Sequence, residues 1–162
     1  MKLRVGLFLV LTQCLAQVHS ACPTWSTASR FTLNSSEIAD RRTGLVWSRC
    51  SIGQAWNGIN CAGAANTYTQ ESAFQYAATQ NGWRLPNRRE LFSLADKGCK
   101  GPAIDTTAFP NTLPGPYWTS SPDVGLPAAA WYVDFNGGFT RSLGYGIGRS
   151  ERLPVRLVRS SQ

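Results

Sequence analysis

The sequence predicts an α+β fold, mainly antiparallel sheet with two short helices and two disulfides. Three observations predict it. Helical signals are confined to two short stretches before residue 100, strand signals fill the rest without βαβ alternation, and an even number of cysteines remains once an export signal is set aside.

The export signal stands first in the chain. Lys2 and Arg4 precede an apolar run from Val5 to Leu11 that continues less purely to Val18, and Ser20 and Ala21 end it. This is the layout of a secretory signal peptide over residues 1–20, cleaved after Ser20, with 21–162 as a single binding domain. The rival reading is a membrane anchor, but the run is shorter than the roughly 20 residues a span needs, and Thr12, Gln13, Gln17 and His19 interrupt it. A second rival is lipid attachment at Cys22, against which His19 occupies a position where an aliphatic residue is expected. No membrane span is expected after signal removal, so the expected location is secreted, periplasmic or cell surface.

Cleavage alters the chemistry of the chain. Lys2 and Arg4 depart, leaving 14 basic residues against 9 acidic ones. Apart from Arg41-Arg42, Arg88-Arg89 and the tail from Arg149 to Arg159, the arginines are scattered. That argues against a nucleic-acid partner and for an acidic polysaccharide or a cell-surface protein. The only histidine, His19, departs too, and with it the commonest general base and metal ligand. No metal or cofactor is expected, and the chain reads as a binding protein rather than an enzyme. Cys14 also lies in the signal, so Cys22, Cys50, Cys61 and Cys99 remain. None has C-x-x-C spacing. Three connectivities are possible; the favoured one joins Cys50 to Cys61 around the glycine-rich loop Ser51–Asn60 and leaves Cys22 for Cys99.

The elements follow in order. Phe31–Leu33 and Leu45–Trp47 form the arms of a hairpin around Asp40-Arg41-Arg42-Thr43-Gly44, where Asp opens and Gly closes a tight turn. Thr69 caps a helix from about Gln70 to Gln80 whose apolar face is Ala73, Phe74, Ala77 and Ala78, and Asn81-Gly82 stops it. In Trp83-Arg84-Leu85-Pro86-Asn87-Arg88-Arg89-Glu90-Leu91, Pro86 discourages helix before it and Asn87 with Glu90 forms a capping box, so a second helix starts near Arg88. The Gly-, Pro- and Thr-rich stretch from Cys99 to Pro116 reads as an irregular loop over the surface. Strands follow at Tyr117–Ser121, at Trp131–Phe135, and beyond the Asn136-Gly137-Gly138 turn at Phe139–Leu143, with a last one at Val155–Val158.

Five runs together resemble the bacterial domain named for the C-terminal part of the Legionella collagen-like adhesin. They are Asp40–Trp47, Gly82–Leu91, Tyr117–Ser121, Ala130–Phe135 and Val155–Arg159, in the family's order and across nearly all of the chain after the signal. The resemblance implies a C-type-lectin-like fold and a surface adhesin that binds sulfated or acidic polysaccharide. It also implies distant kinship with formylglycine-generating enzymes, whose chemistry uses late cysteines, whereas no cysteine here follows Cys99. The Glu-Pro-Asn type motif of calcium-dependent lectins is missing too, so no calcium is expected.

Bland readings claim several conspicuous residues. Trp83, Trp118 and Trp131 sit beside aliphatic residues and are expected in the core. Arg84 is expected to be buried on a fixed carboxylate or carbonyl, and Asp40 to serve its turn. Asp123 and Asp134 form a weak candidate carboxylate pair for glycoside cleavage. The ligand-binding candidates are Tyr132, Asp134, Asn136, Phe139, Arg141, Tyr145, Arg149 and Arg152, which combine flat apolar faces with fork-like donors in glycine-rich loops. The reading is thus an exported, non-catalytic adhesion or recognition module using its C-terminal loops. The alternative is a subunit of a surface appendage such as a pilus, and the weakest reading is a hydrolase.

Overall fold

A computed structural model describes residues 22–141 and 148–161. The expected signal peptide and Tyr145 lie outside them. All paired strands are antiparallel. The main sheet orders β1 (Phe31–Asn34), β2 (Glu37–Asp40), β3 (Leu45–Ser48) and, from the far end of the chain, β11 (Val158–Ser160). Ribbons of two strands join β4 (Ala55–Trp56) to β5 (Cys61–Ala62) and β6 (Thr67–Tyr68) to β10 (Leu153–Pro154). A second sheet contains β7 (Pro116–Pro122), β8 (Ala130–Asp134) and β9 (Phe139–Arg141).

The turn chemistry acts as its residues dictate. The Gly44 amide donates to the Asp40 carbonyl at 2.8 Å with φ at +69°, a conformation that favours glycine. The expected hairpin is in fact a three-stranded meander, since Ile38-Ala39 belongs to a strand of its own paired on both sides.

Among the described residues three short helices are present rather than two. The unforeseen one, α1 (Thr27–Arg30), is a single turn whose N-cap Ser26 makes no side-chain capping bond, so it left no capping signal. It is held from outside, by the Thr27 hydroxyl donating to Asp105 at 2.6 Å and by Arg30 bonding to Asp40. Helix α2 (Gln70–Ala78) starts as expected, with Thr69 Oγ1 accepting from the Ser72 amide. Its buried face is Gln70, Ala73 and Ala77, while Phe74 and Ala78 are exposed. That corrects the expected apolar face: the helix is rotated so that buried Gln70 donates to the Thr119 carbonyl at 2.9 Å. Helix α3 (Arg88–Phe92) carries the complete capping box, Asn87 Oδ1 accepting from the Glu90 amide and Glu90 Oε2 from the Asn87 amide.

Apolar burial falls into two clusters. One gathers Phe31, Ile38, Trp47, Leu91, Phe109, Tyr117, Val133 and Val158 between the two sheets and α3. The other gathers Ala73, Ala77, Leu85, Trp118, Tyr132 and Val155 beneath α2. The stretch after Cys99 is a surface loop only in part: Thr106, Thr107, Asn111 and Leu113 are exposed, but Ala103, Ile104, Asp105, Ala108 and Phe109 are completely buried. An irregular segment tolerates this because its backbone is satisfied, Ala103 donating to the Phe135 carbonyl and Phe109 to that of Asp105. The run Val155–Leu157 is not strand either. Its carbonyls still accept from Ile52 and Ser48, and it brings Arg156 into the interior with no exposed surface.

Both favoured disulfides are present, Cys22–Cys99 and Cys50–Cys61. Beside the first, the Thr24 amide and hydroxyl both donate to Asp96, at 2.6 and 2.9 Å. The second closes a span of 11 residues across the β4–β5 ribbon. Replacing Cys50 and Cys61 together by alanine is expected to lower the urea-unfolding free energy by about 3 kcal/mol, chiefly by freeing the unfolded chain.

Candidate functional site

The residues expected to form one ligand surface are divided by the second sheet. Tyr132 was expected to point outward and is buried, 6 % exposed, in the cluster beneath α2. Both faces of β8 are covered, Val133 by one cluster and Tyr132 by the other, so alternation there separates two cores rather than core from solvent. Burial raises the Tyr132 phenol above its ordinary value despite the Arg141 charge, which lowers it. Asp134 and Asn136 sit at the far end of the strand, where Asp134 accepts from the Asn136 amide at 2.7 Å and shapes the turn. Phe139 pairs with Asp134 across this hairpin, and the exposed Arg141 guanidinium lies 4.5 Å from the Phe139 ring centroid.

Arg149 and Arg152 belong to the opposite end. Gly148 bridges to Ala129, just before β8 begins, whereas Asp134 ends that strand. Ala129 and Asp134 are five residues apart, roughly 17 Å of extended chain. Arg149 is fixed on both sides: its amide donates to the Ala128 carbonyl and its carbonyl accepts from the Gln70 amide, both at 3.0 Å. Its guanidinium donates to Gln70 Oε1 at 2.6 Å and to the Pro127 carbonyl at 3.2 Å. Arg152 donates to the Thr67 carbonyl at 2.7 Å. Both arginines are exposed. An open cleft of about 500 Å³ is lined by Thr69, Glu71, Phe74, Arg149 and Ser150.

The same strand geometry weighs against the carboxylate pair. The Asp123 amide donates to the Ala129 carbonyl at the end of β8 remote from Asp134. The separation along the sheet exceeds the roughly 5–10 Å between the carboxylates of glycoside hydrolases.

Acidic residues here mostly hold the scaffold. Asp40 binds Arg30, Glu37 binds Arg159, Glu90 binds Arg84, and Asp96 and Asp105 tie down Thr24 and Thr27. Asp40 is the buried partner of Arg30 rather than only a turn residue. No group of three or more metal-ligating side chains occurs among the described residues.

Trp131 and Arg84 also depart from expectation, and Trp83 does so in part, since it packs against the cluster beneath α2 without being enclosed. Trp118 is wholly buried, but Trp83 and Trp131 are half-buried, beneath Arg159 at 5.3 Å and Arg88 at 4.0 Å respectively. Arg84 is exposed and grips Glu90 with two bonds of 2.8 Å. The bonds from Arg84 hold the Glu90 carboxyl below its ordinary value, against the raising effect of burial, and the Asn87 amide adds to this. A cleft of about 440 Å³ lies between Phe74 and Trp83, over Ala77 and Ala78, with Arg84, Glu90 and Asn87 at its rim. Sequence reasoning missed it by assigning both aromatics to the core. The available signal was the pair of small residues at 77 and 78 beside Phe74.

Residues 36–159 match the family described as the Lcl C-terminal domain. A comparison with curated protein sequences gave no match.

Proposed function

Because the chain belongs to the Lcl C-terminal domain family, we propose that it is an exported, non-catalytic adhesion module that binds an acidic polysaccharide on a cell surface. The observation that carries this reading is the setting of Arg149 and Arg152. Both are exposed, and the hydrogen bonds that hold them go to backbone carbonyls and an amide oxygen rather than to carboxylates. Their charges are positioned without being neutralised, which suits a fork-like grip on sulfate or carboxylate groups. A C-type-lectin-like scaffold is the fold assignment that accompanies this reading. The two disulfides fit an extracellular or surface location. Among the described residues no helix is long and apolar enough to cross a membrane.

A glycan array probed with the disulfide-bonded domain tests it. Binding to sulfated or uronic-acid polymers is expected, falling at least about tenfold in R149A and R152A and more steeply with salt than for a neutral ligand. No binding to any acidic polymer, or binding indifferent to both substitutions, overturns the assignment.

A further inference from the structure

The cleft between Phe74 and Trp83 differs in chemistry from the arginine surface. Phe74, 39 % exposed, and half-buried Trp83 flank it, and Ala77 and Ala78 form its floor. On α2 the residues at i+3 and i+4 from Phe74 share its side of the helix, so small side chains at 77 and 78 leave a slot beside the ring. The walls are apolar, but the rim is polar and rigid. Arg84 and Glu90 are locked in a planar two-bond pair, and Asn87 is fixed by the capping box, its Oδ1 engaged by the Glu90 amide. The side-chain amide nitrogen of Asn87 and the remaining N–H groups of Arg84 are donors placed by the scaffold rather than by a ligand.

Charge decides what this cleft suits. The one cation at its rim, Arg84, is matched by Glu90. Beyond Trp83 the adjoining cleft holds Arg159, already bonded to Glu37 at 2.8 Å. An acidic group brought here meets neutralised arginines and nearby carboxylates. An uncharged ligand with one apolar face and several hydroxyls meets aromatic walls and fixed planar donors and acceptors. The volume of about 440 Å³ falls within the roughly 300–1,000 Å³ of small-molecule sites.

We infer that the Phe74–Trp83 cleft is a second binding site, which takes an uncharged pyranose ring of a glycan. The apolar face of the sugar lies against the aromatic side chains, and its hydroxyls bond to Asn87 and the Arg84–Glu90 pair. The site adjoins the Arg149 cleft at Phe74, which lines both, but of these two clefts it alone is lined by Ala78, Trp83, Arg84, Asn87 and Glu90, and it uses neither Arg141, Arg149 nor Arg152.

The test is heteronuclear NMR on the disulfide-bonded domain titrated with maltose, cellobiose, mannobiose and chitobiose. At least one is expected to shift the Trp83 indole N–H and neighbouring resonances of α2, with a dissociation constant on the order of 1 mM. The variants F74A and A78L alter exposed side chains, one removing a wall and the other filling the floor. Their amide spectra should stay folded while affinity falls at least about fivefold, and R152A, which lines neither cleft, should bind the same disaccharide unchanged. Absence of any shift at Trp83 across the panel overturns the inference, as do shifts that persist in both variants. A response there to acidic oligosaccharides alone overturns it too, while leaving the proposed function standing.

Discussion

Replacing Arg156 by alanine is expected to destabilise the domain by about 3–5 kcal/mol, a fall in Tm of roughly 10–20 °C. The side chain has no exposed surface, and the bonds that hold it run to no carboxylate. Its guanidinium donates to the carbonyls of Ser48 and Arg49 and to Thr112 Oγ1, the last at 2.8 Å, and lies 4.9 Å from the Phe109 ring centroid. Burial pulls its pKa down to about 10, so it remains a cation at neutral pH. Alanine leaves a cavity and also strands two backbone carbonyls turned inward, and the second effect makes the loss large. Lysine at this position keeps charge and length but cannot span the same acceptors with one ammonium group, and is expected to recover less than half of the loss. Thermal unfolding of both variants followed by circular dichroism checks the ranking. A lysine variant as stable as the parent shows that charge, rather than the planar fork, is what matters at position 156.

Asp40→Ala should follow closely, at about 3–5 kcal/mol. Asp40 and Arg30 are both almost fully enclosed, with side-chain exposures of 0 % and 4 % and an N–O distance of 2.7 Å. Arg30 also donates to the Ser93 carbonyl and lies 4.4 Å from the Trp25 ring centroid, so the pair joins α1, β2 and the end of α3. Removing the carboxylate leaves a buried cation with one carbonyl partner. The same pair gives a pH dependence. Burial raises the Asp40 carboxyl, but the Arg30 bonds and charge and the Arg42 amide outweigh it, leaving the value below the ordinary 3.8. The contribution is therefore complete above about pH 4 and is lost as pH falls through the lower folded value. Stability of the parent should decline below about pH 4, and D40A should lose less over that interval.

These two side chains also show where sequence reasoning reached its limit. Punctuation was legible: Asp40 and Gly44 close a turn, Thr69 and Asn87 cap helices, and the Asn136-Gly137-Gly138 turn appears as written, because each depends on atoms a few residues apart. The cysteine pairing was legible as well, since a short glycine-rich loop invites closure. What could not be read was which cation is enclosed. Arg84, between a tryptophan and a leucine, resembles a buried arginine yet is exposed, whereas Arg156, in a similar apolar run, is buried. The difference arises from carbonyls of residues 48 and 49, more than a hundred positions away. Tyr132 failed for a related reason, because alternation cannot tell a strand facing water from one wedged between two cores. The candidate site suffered most: its residues were recognised as a list but not as two places at opposite ends of β8.

The tie between Cys22 and Cys99 bears on how the domain transmits force. Phe31, Asp40, Leu45 and Ser160 lie in one row across the main sheet, so the start of β1 and the end of β11 are on the same side of it. Tension between those two points peels strands apart one bonded pair at a time, the mode in which a sheet resists least. A pull arriving from the N-terminal side, however, meets Cys22 before it meets β1. It passes through sulfur into Cys99, beside the buried segment around Ile104, and the segment from Cys22 to β1 is bypassed.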